Sequence, residues 1–92
     1  METKSAWKEL LKNWPADIAR RGVLVTAYEE QIPFDGFIAN EGLLLLERKT
    51  PDTSGARKVI MSYDSVLAIK LVDVVRTKSL SGLGFTGSLG KE

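Results

Sequence analysis

The stretch "FDGFIANEGLLLLER", residues 34–48, sets the reading of the whole chain. Two short apolar runs flank Asn40-Glu41-Gly42. Runs of that length joined by a three-residue break containing glycine predict a β-hairpin, with Gly42 in the left-handed position. Successive side chains of a strand point to opposite faces, so Leu44 and Leu46 face one way and Leu43 and Leu45 the other. Both faces of this strand are apolar, and both need cover.

Before the hairpin, "GVLVTAYE", 22–29, and "IPFDGFIA", 32–39, read as the first two strands. Pro33 sits near the start of the second, where a missing donor is tolerated. Gly36 lies inside it and marks a bend or bulge. "LLLLERK", 43–49, is the third strand, and "TPDTSGA", 50–56, a loop. "RKVIMSY", 57–63, and "VLAIKLVDVV", 66–75, are the fourth and fifth, separated only by Asp64 and Ser65. The fifth is also apolar on both faces, with Val66, Ala68, Val72 and Val74 opposite Leu67, Ile69, Leu71 and Val75. Upstream, Trp7, Leu10, Leu11 and Trp14 share one face of a helix over 4–14, which Pro15 ends.

The expected fold class is therefore mainly β: an N-terminal helix followed by five strongly bent antiparallel strands in an SH3-like barrel. Residues 1–78 form the domain, and the Gly/Ser-rich 79–92 a flexible tail. One short helix covers too little of two strands that are apolar on both sides. A second copy of the chain is expected to cover the rest, through Val59, Ile60 and Met61 of the fourth strand and Leu67, Ile69 and Leu71 of the fifth.

Composition narrows the function. Lys+Arg 13 against Asp+Glu 12 leaves a net charge of +1, so the chain lacks the overall basicity of a broad nucleic-acid binder. His 0 and Cys 0 remove the commonest general base, the commonest metal ligands and all disulfide chemistry, and a reducing cytoplasm suits such a chain. The N-terminus has no apolar core of a leader peptide, and no run approaches the ~20 residues of a membrane span. No spacing pairs the carboxylates Asp35, Glu41, Asp64 and Asp73 into a catalytic site. Gly82, Gly84 and Gly87 spell a dinucleotide fingerprint but lack the strand and helix it requires. No enzyme activity, cofactor or metal is expected.

In outline the chain resembles the Sm-like superfamily, which includes the bacterial host-factor RNA chaperone. The resemblance covers about residues 5–75. Gly36, Phe37, Ile38 and Leu43 to Leu46 match the first family motif, and "VIMSYDSVLAIKLV", 59–72, the second, with "TPDTSGA" as the variable loop between them. It implies a ring built by pairing the fourth strand of one subunit with the fifth of the next, and RNA as ligand. The ligand residues depart from the pattern. Only Asn40 can stand for the Asp and Asn expected before the third strand. Tyr63-Asp64-Ser65 replaces the chaperone's Tyr-Lys-His, and Ser62-Tyr63 stands where eukaryotic members carry Arg-Gly.

Candidate RNA contacts are Asn40 and Tyr63 at the pore turn and the basic cluster Lys4, Lys8, Lys12, Arg20 and Arg21. The simpler role of those lysines is a solvated helix flank. Trp7 and Trp14 at helical spacing belong to the core before they belong to a base-stacking surface. Two functions suit these residues: an Sm-like ring that binds RNA or another polyanion weakly, and a homo-oligomeric scaffold whose tail engages a protein partner.

Overall fold

A computed structural model describes residues 3–87 and 89, with the side chains of Thr3 and Lys4 outside that description. Helix α1 (Thr3–Lys12) is followed by strands β1 (Gly22–Thr26), β2 (Gln31–Ala39), β3 (Leu43–Arg48), β4 (Lys58–Ser62) and β5 (Val66–Lys70). Short 3-10 helices occupy Tyr63–Ser65 and Thr77–Leu83. All pairings are antiparallel, in the order β4-β3-β2-β1-β5.

That order bends the sheet. β4 and β5 lie at opposite edges, four strand spacings or about 19 Å apart if the sheet were flat. The link between them is the 3-residue Tyr63–Ser65. From Ser62 to Val66 even a fully extended chain reaches only about 14 Å. In 3-10 conformation it reaches about 8 Å. The sheet therefore curls until its edges approach. It does not close: no ladder joins β4 to β5 among the described residues. The expected barrel is thus an open, curled five-stranded sheet.

The concave face holds the core: Leu24, Ile32, Phe34, Phe37, Leu44, Leu46, Tyr63 and Val66, capped by Leu11 from α1. Strict alternation along β2 would send Phe34 and Phe37 to opposite faces. A register shift against β3 between Phe34 and Gly36 turns both inward. Their rings meet edge to face at 6.0 Å, and Trp14 packs on Phe37 in the same way at 5.1 Å.

Several strands are shorter than their sequences predict. β1 ends at Thr26, the buried polar residue of the core, whose Oγ1 accepts the N–H groups of Tyr28 and Glu30. Glu29 closes that turn with φ 68°. β5 stops at Lys70 instead of Val75, because Lys70 pairs with Val23 at the start of β1 and, among the described residues, no strand lies alongside residues 71–75. The 3-10 helix Thr77–Leu83 spans the expected boundary at residues 78 and 79 and takes in the first residues of the segment read as a flexible tail.

Two glycines differ in what they demand. Gly36 sits at the expected irregularity, but a Cβ there would meet only the Glu47 Cβ at an ordinary 3.8 Å. At Gly22, which carries no signal in the sequence, a Cβ would fall 2.4 Å from the Lys70 carbonyl oxygen. Backbone atoms cannot yield there without parting β1 from β5. Gly22→Ala is expected to cost about 2 kcal/mol or more. Gly36→Ala should cost no more than about 1 kcal/mol. Urea denaturation of both variants checks the ranking, and equal losses would contradict it.

Candidate functional site

The residues expected to meet RNA divide into two groups. Of the basic cluster, the Lys4 side chain lies outside the described residues. Lys8 and Lys12 both reach across to the exposed Glu41 carboxylate, Lys8 at 3.4 Å and Lys12 closer. This bridge fastens α1 to the β2–β3 hairpin. The hydrogen bond from Lys12, then its charge, then the two contributions of Lys8, hold the Glu41 carboxyl below its ordinary range. The same bond raises Lys12.

Arg21 makes a bidentate pair with Asp73 at 2.9 and 2.6 Å. That pair lowers Asp73 and raises Arg21. Arg20 differs: its Nη1 donates to the Phe37 carbonyl at 3.1 Å, and its guanidinium lies 4.5 Å from the Phe37 ring centroid. Within the cluster, and among the described residues, it is the cation whose charge no ion pair offsets. Lys8 and Lys12 converge on Glu41, whereas Arg21 is held by Asp73 and Arg20 by Phe37. The structure distributes them as fasteners.

Asn40 and Tyr63 are brought together, for a structural purpose. Tyr63 is buried, and its hydroxyl lies between the Asn40 and Leu43 carbonyls, its one proton shared between them, at 3.1 Å from the latter. Burial pushes its pKa up. The Asn40 Oδ1 accepts the N–H groups of Gly42 at 2.9 Å and Leu43 at 2.7 Å. The hairpin turn is thus held by an asparagine side chain. Gly42, expected in the left-handed region, is not among the glycines with positive φ. A tyrosine whose ring is in the core and whose hydroxyl is occupied by backbone has no face for a base to stack on.

The candidate oligomer residues also divide. On β4, Ile60 points outward at 65% exposure, while Val59 and Met61 pack against the core. On β5, Leu67 points outward at 59% exposure and Ile69 packs inward. Leu71 lines a cleft with Trp7, Trp14, Leu80 and Phe85. The pairings Ile38↔Leu45 and Leu45↔Ile60 form an apolar row across the convex face of three strands, ending at the β4 edge. The sequence alone does not reveal that row, since it needs the β3–β4 register and a long loop separates the two strands. β4 and β5 each carry one row of backbone groups that no strand pairs among the described residues.

Among the described residues no group of three or more acidic side chains is placed to hold a metal ion. No described helix is long and apolar enough to cross a membrane. No protein-family model matches the chain, and no curated protein or solved structure is detectably similar to it. These comparisons do not bear on the Sm-like resemblance expected from the sequence motifs at Gly36–Leu46 and Val59–Val72.

The Glu41 bridge carries a pH dependence of defined sign. Its folded value lies below the ordinary 4.5, so its contribution is complete above that value and is lost as pH falls through the lowered one. Thermal melts from neutral to acid pH should show wild type losing stability below 4.5 more steeply than Glu41→Gln. Identical slopes would mean that the lysines do not hold the carboxylate in solution.

Proposed function

We propose that this chain is a self-assembling, non-catalytic β module of the Sm-like kind, in which β4 of one copy pairs with β5 of the next. The observation that carries this is the state of the two edges. Each has unpaired backbone groups, and each has an exposed apolar side chain beside them, Ile60 on β4 and Leu67 on β5. Monomers ordinarily blunt such edges with charge, proline or a covering element. Lys58 sits at one end of β4, but its charge is turned to Glu47 at 3.3 Å. Two different edges make a heterologous contact, which closes into a ring if the rotation permits. The curled sheet and the 3-residue link between β4 and β5 support the Sm-like version, because they set the two edges on one short stretch of chain.

The work of such an assembly is read as scaffolding in preference to RNA binding. Lys8, Lys12 and Arg21 spend their charges on Glu41 and Asp73, Tyr63 is enclosed, and Asp64 beside it is exposed. Arg20, repeated around a ring, is what favours the polyanion reading. The tail carries two exposed apolar side chains, Phe85 and Leu89, in support of the protein-partner reading. With no cysteine the assembly needs no oxidising compartment, which fits a cytoplasmic protein.

Light scattering should give a mass several times the 10.1 kDa of one chain at high micromolar concentration. Ile60→Lys and Leu67→Lys should each lower it while leaving the far-ultraviolet circular dichroism intact, since both side chains point away from the core. A monomer mass for the wild-type protein would end the proposal. The ultraviolet absorbance ratio of the purified protein should be that of protein alone, and a nucleic-acid ratio would return the ligand to RNA.

A further inference from the structure

We propose that residues 77–85 form a strap over the outer side of α1, one that opens as a unit while the sheet stays folded. Helix α1 is apolar on two sides. Leu11 enters the core and Trp7 packs against it, while half-buried Trp7 and Leu10 also line a cleft shared with Leu80 and Phe85 of the chain that returns from β5. Leu80, Leu83 and Phe85 lie over them.

Four observations make this cover separable from the fold beneath. First, none of residues 71–87 is buried, so lifting them removes no side chain from the core. Second, the fit is loose. A cleft of ≈ 470 Å³ separates Trp7 and Leu10 from Leu83 and Phe85, and a second of ≈ 200 Å³ runs from Trp14 to Leu80. Both clefts open to solvent, so the strap does not seal the helix face beneath it. Third, two polar contacts that help hold the strap and its connection are at the surface: Arg21 with Asp73, and the Ser79 hydroxyl donating to Asp17 at 2.6 Å. Surface contacts of this kind contribute little each and weaken with salt.

Fourth, the connection carries no ladder: among the described residues it is held to the sheet by the Arg21–Asp73 pair and not by strand pairing. The β1–β5 ladder ends at Lys70, and Val74 beyond it is 102% exposed. At the far end Gly84 takes φ 94°, which turns Phe85 back over the helix. Segments with few buried contacts are those that open locally at low free energy. Opening leaves α1 in place, held by Leu11 and by the lysine bridge to Glu41. It uncovers a continuous ledge of Trp7, Leu10 and Trp14.

The chain's own fluorophores report the event, because both of its tryptophans stand on that ledge. Acrylamide quenching of the full-length protein is compared with that of a variant carrying Asp73→Asn and Ser79→Ala. The variant's quenching slope should rise about two-fold, as expected of a locally opened segment. Its emission should shift to the red. Hydrogen exchange should accelerate over 77–83 while the amides of β1, β2 and β3 keep their protection. Lys58→Gln, which removes a surface ion pair with Glu47 far from the strap, should change none of these. Unaltered tryptophan quenching in the variant would overturn the proposal, because the strap would then not depend on its tethers. Loss of sheet protection together with the strap would overturn it equally, because the segment would then belong to the cooperative core.

Discussion

A single length mismatch shapes the molecule. Strands at opposite edges of a five-stranded sheet are joined by 3 residues, a link far too short for a flat sheet. The chain resolves this by curling the sheet until Ser62 and Val66 are within reach. Curling creates the concave face that Phe34, Leu44 and Leu46 fill, and leaves a mouth for α1 to cover. Tyr63, inside the link, is drawn into the core, and its hydroxyl fixes the link to the β2–β3 hairpin through the Asn40 and Leu43 carbonyls. Fold, cap and hairpin orientation thus share one cause. The same constraint leaves β4 and β5 as unpaired edges, open to a second copy of the chain.

Charge serves this architecture more than it serves a ligand. Glu41 at the hairpin turn collects Lys8 and Lys12 from α1, and Asp73 after β5 collects Arg21 from before β1. Each pair joins segments that hydrogen-bonded strands do not. Their exposure makes each weak. Their value lies in orienting the helix and the returning chain. A cation so employed is a poor phosphate ligand unless phosphate displaces its carboxylate. Arg20 escapes this by resting on the Phe37 ring and carbonyl.

Much of the fold is legible in the sequence because its signals are local. The helix face of Trp7, Leu10 and Leu11, the hairpin around Asn40–Gly42 and the short break at Asp64–Ser65 all come from spacing and turn chemistry. The features that escape depend on distant partners. Phe34 and Phe37 both face the core because of a bulge against β3, and their separation in sequence argues the opposite. β5 ends at Lys70 because β1 runs out of residues, although Leu71–Val75 alternates like a strand. Gly22 matters because Lys70, far along the chain, passes over it. The turn residue is misassigned between neighbours: Asn40 accepts two hydrogen bonds through its side chain, so Gly42 need not be left-handed. The basic cluster is visible as residues, but its partners Glu41 and Asp73 emerge only in three dimensions.

If assembly proceeds as proposed, the two edges of one chain complete each other in different copies. Amide hydrogen exchange at low and at high protein concentration reads this at the edges themselves. Lys58–Ser62 and Val66–Lys70 should gain protection together on concentration, while β2, already paired on both sides, should not change. Protection confined to one edge would mean a symmetric pairing of like with like, and protection of neither would mean that the open edges do not join. Either result would refute edge-to-edge assembly of β4 with β5.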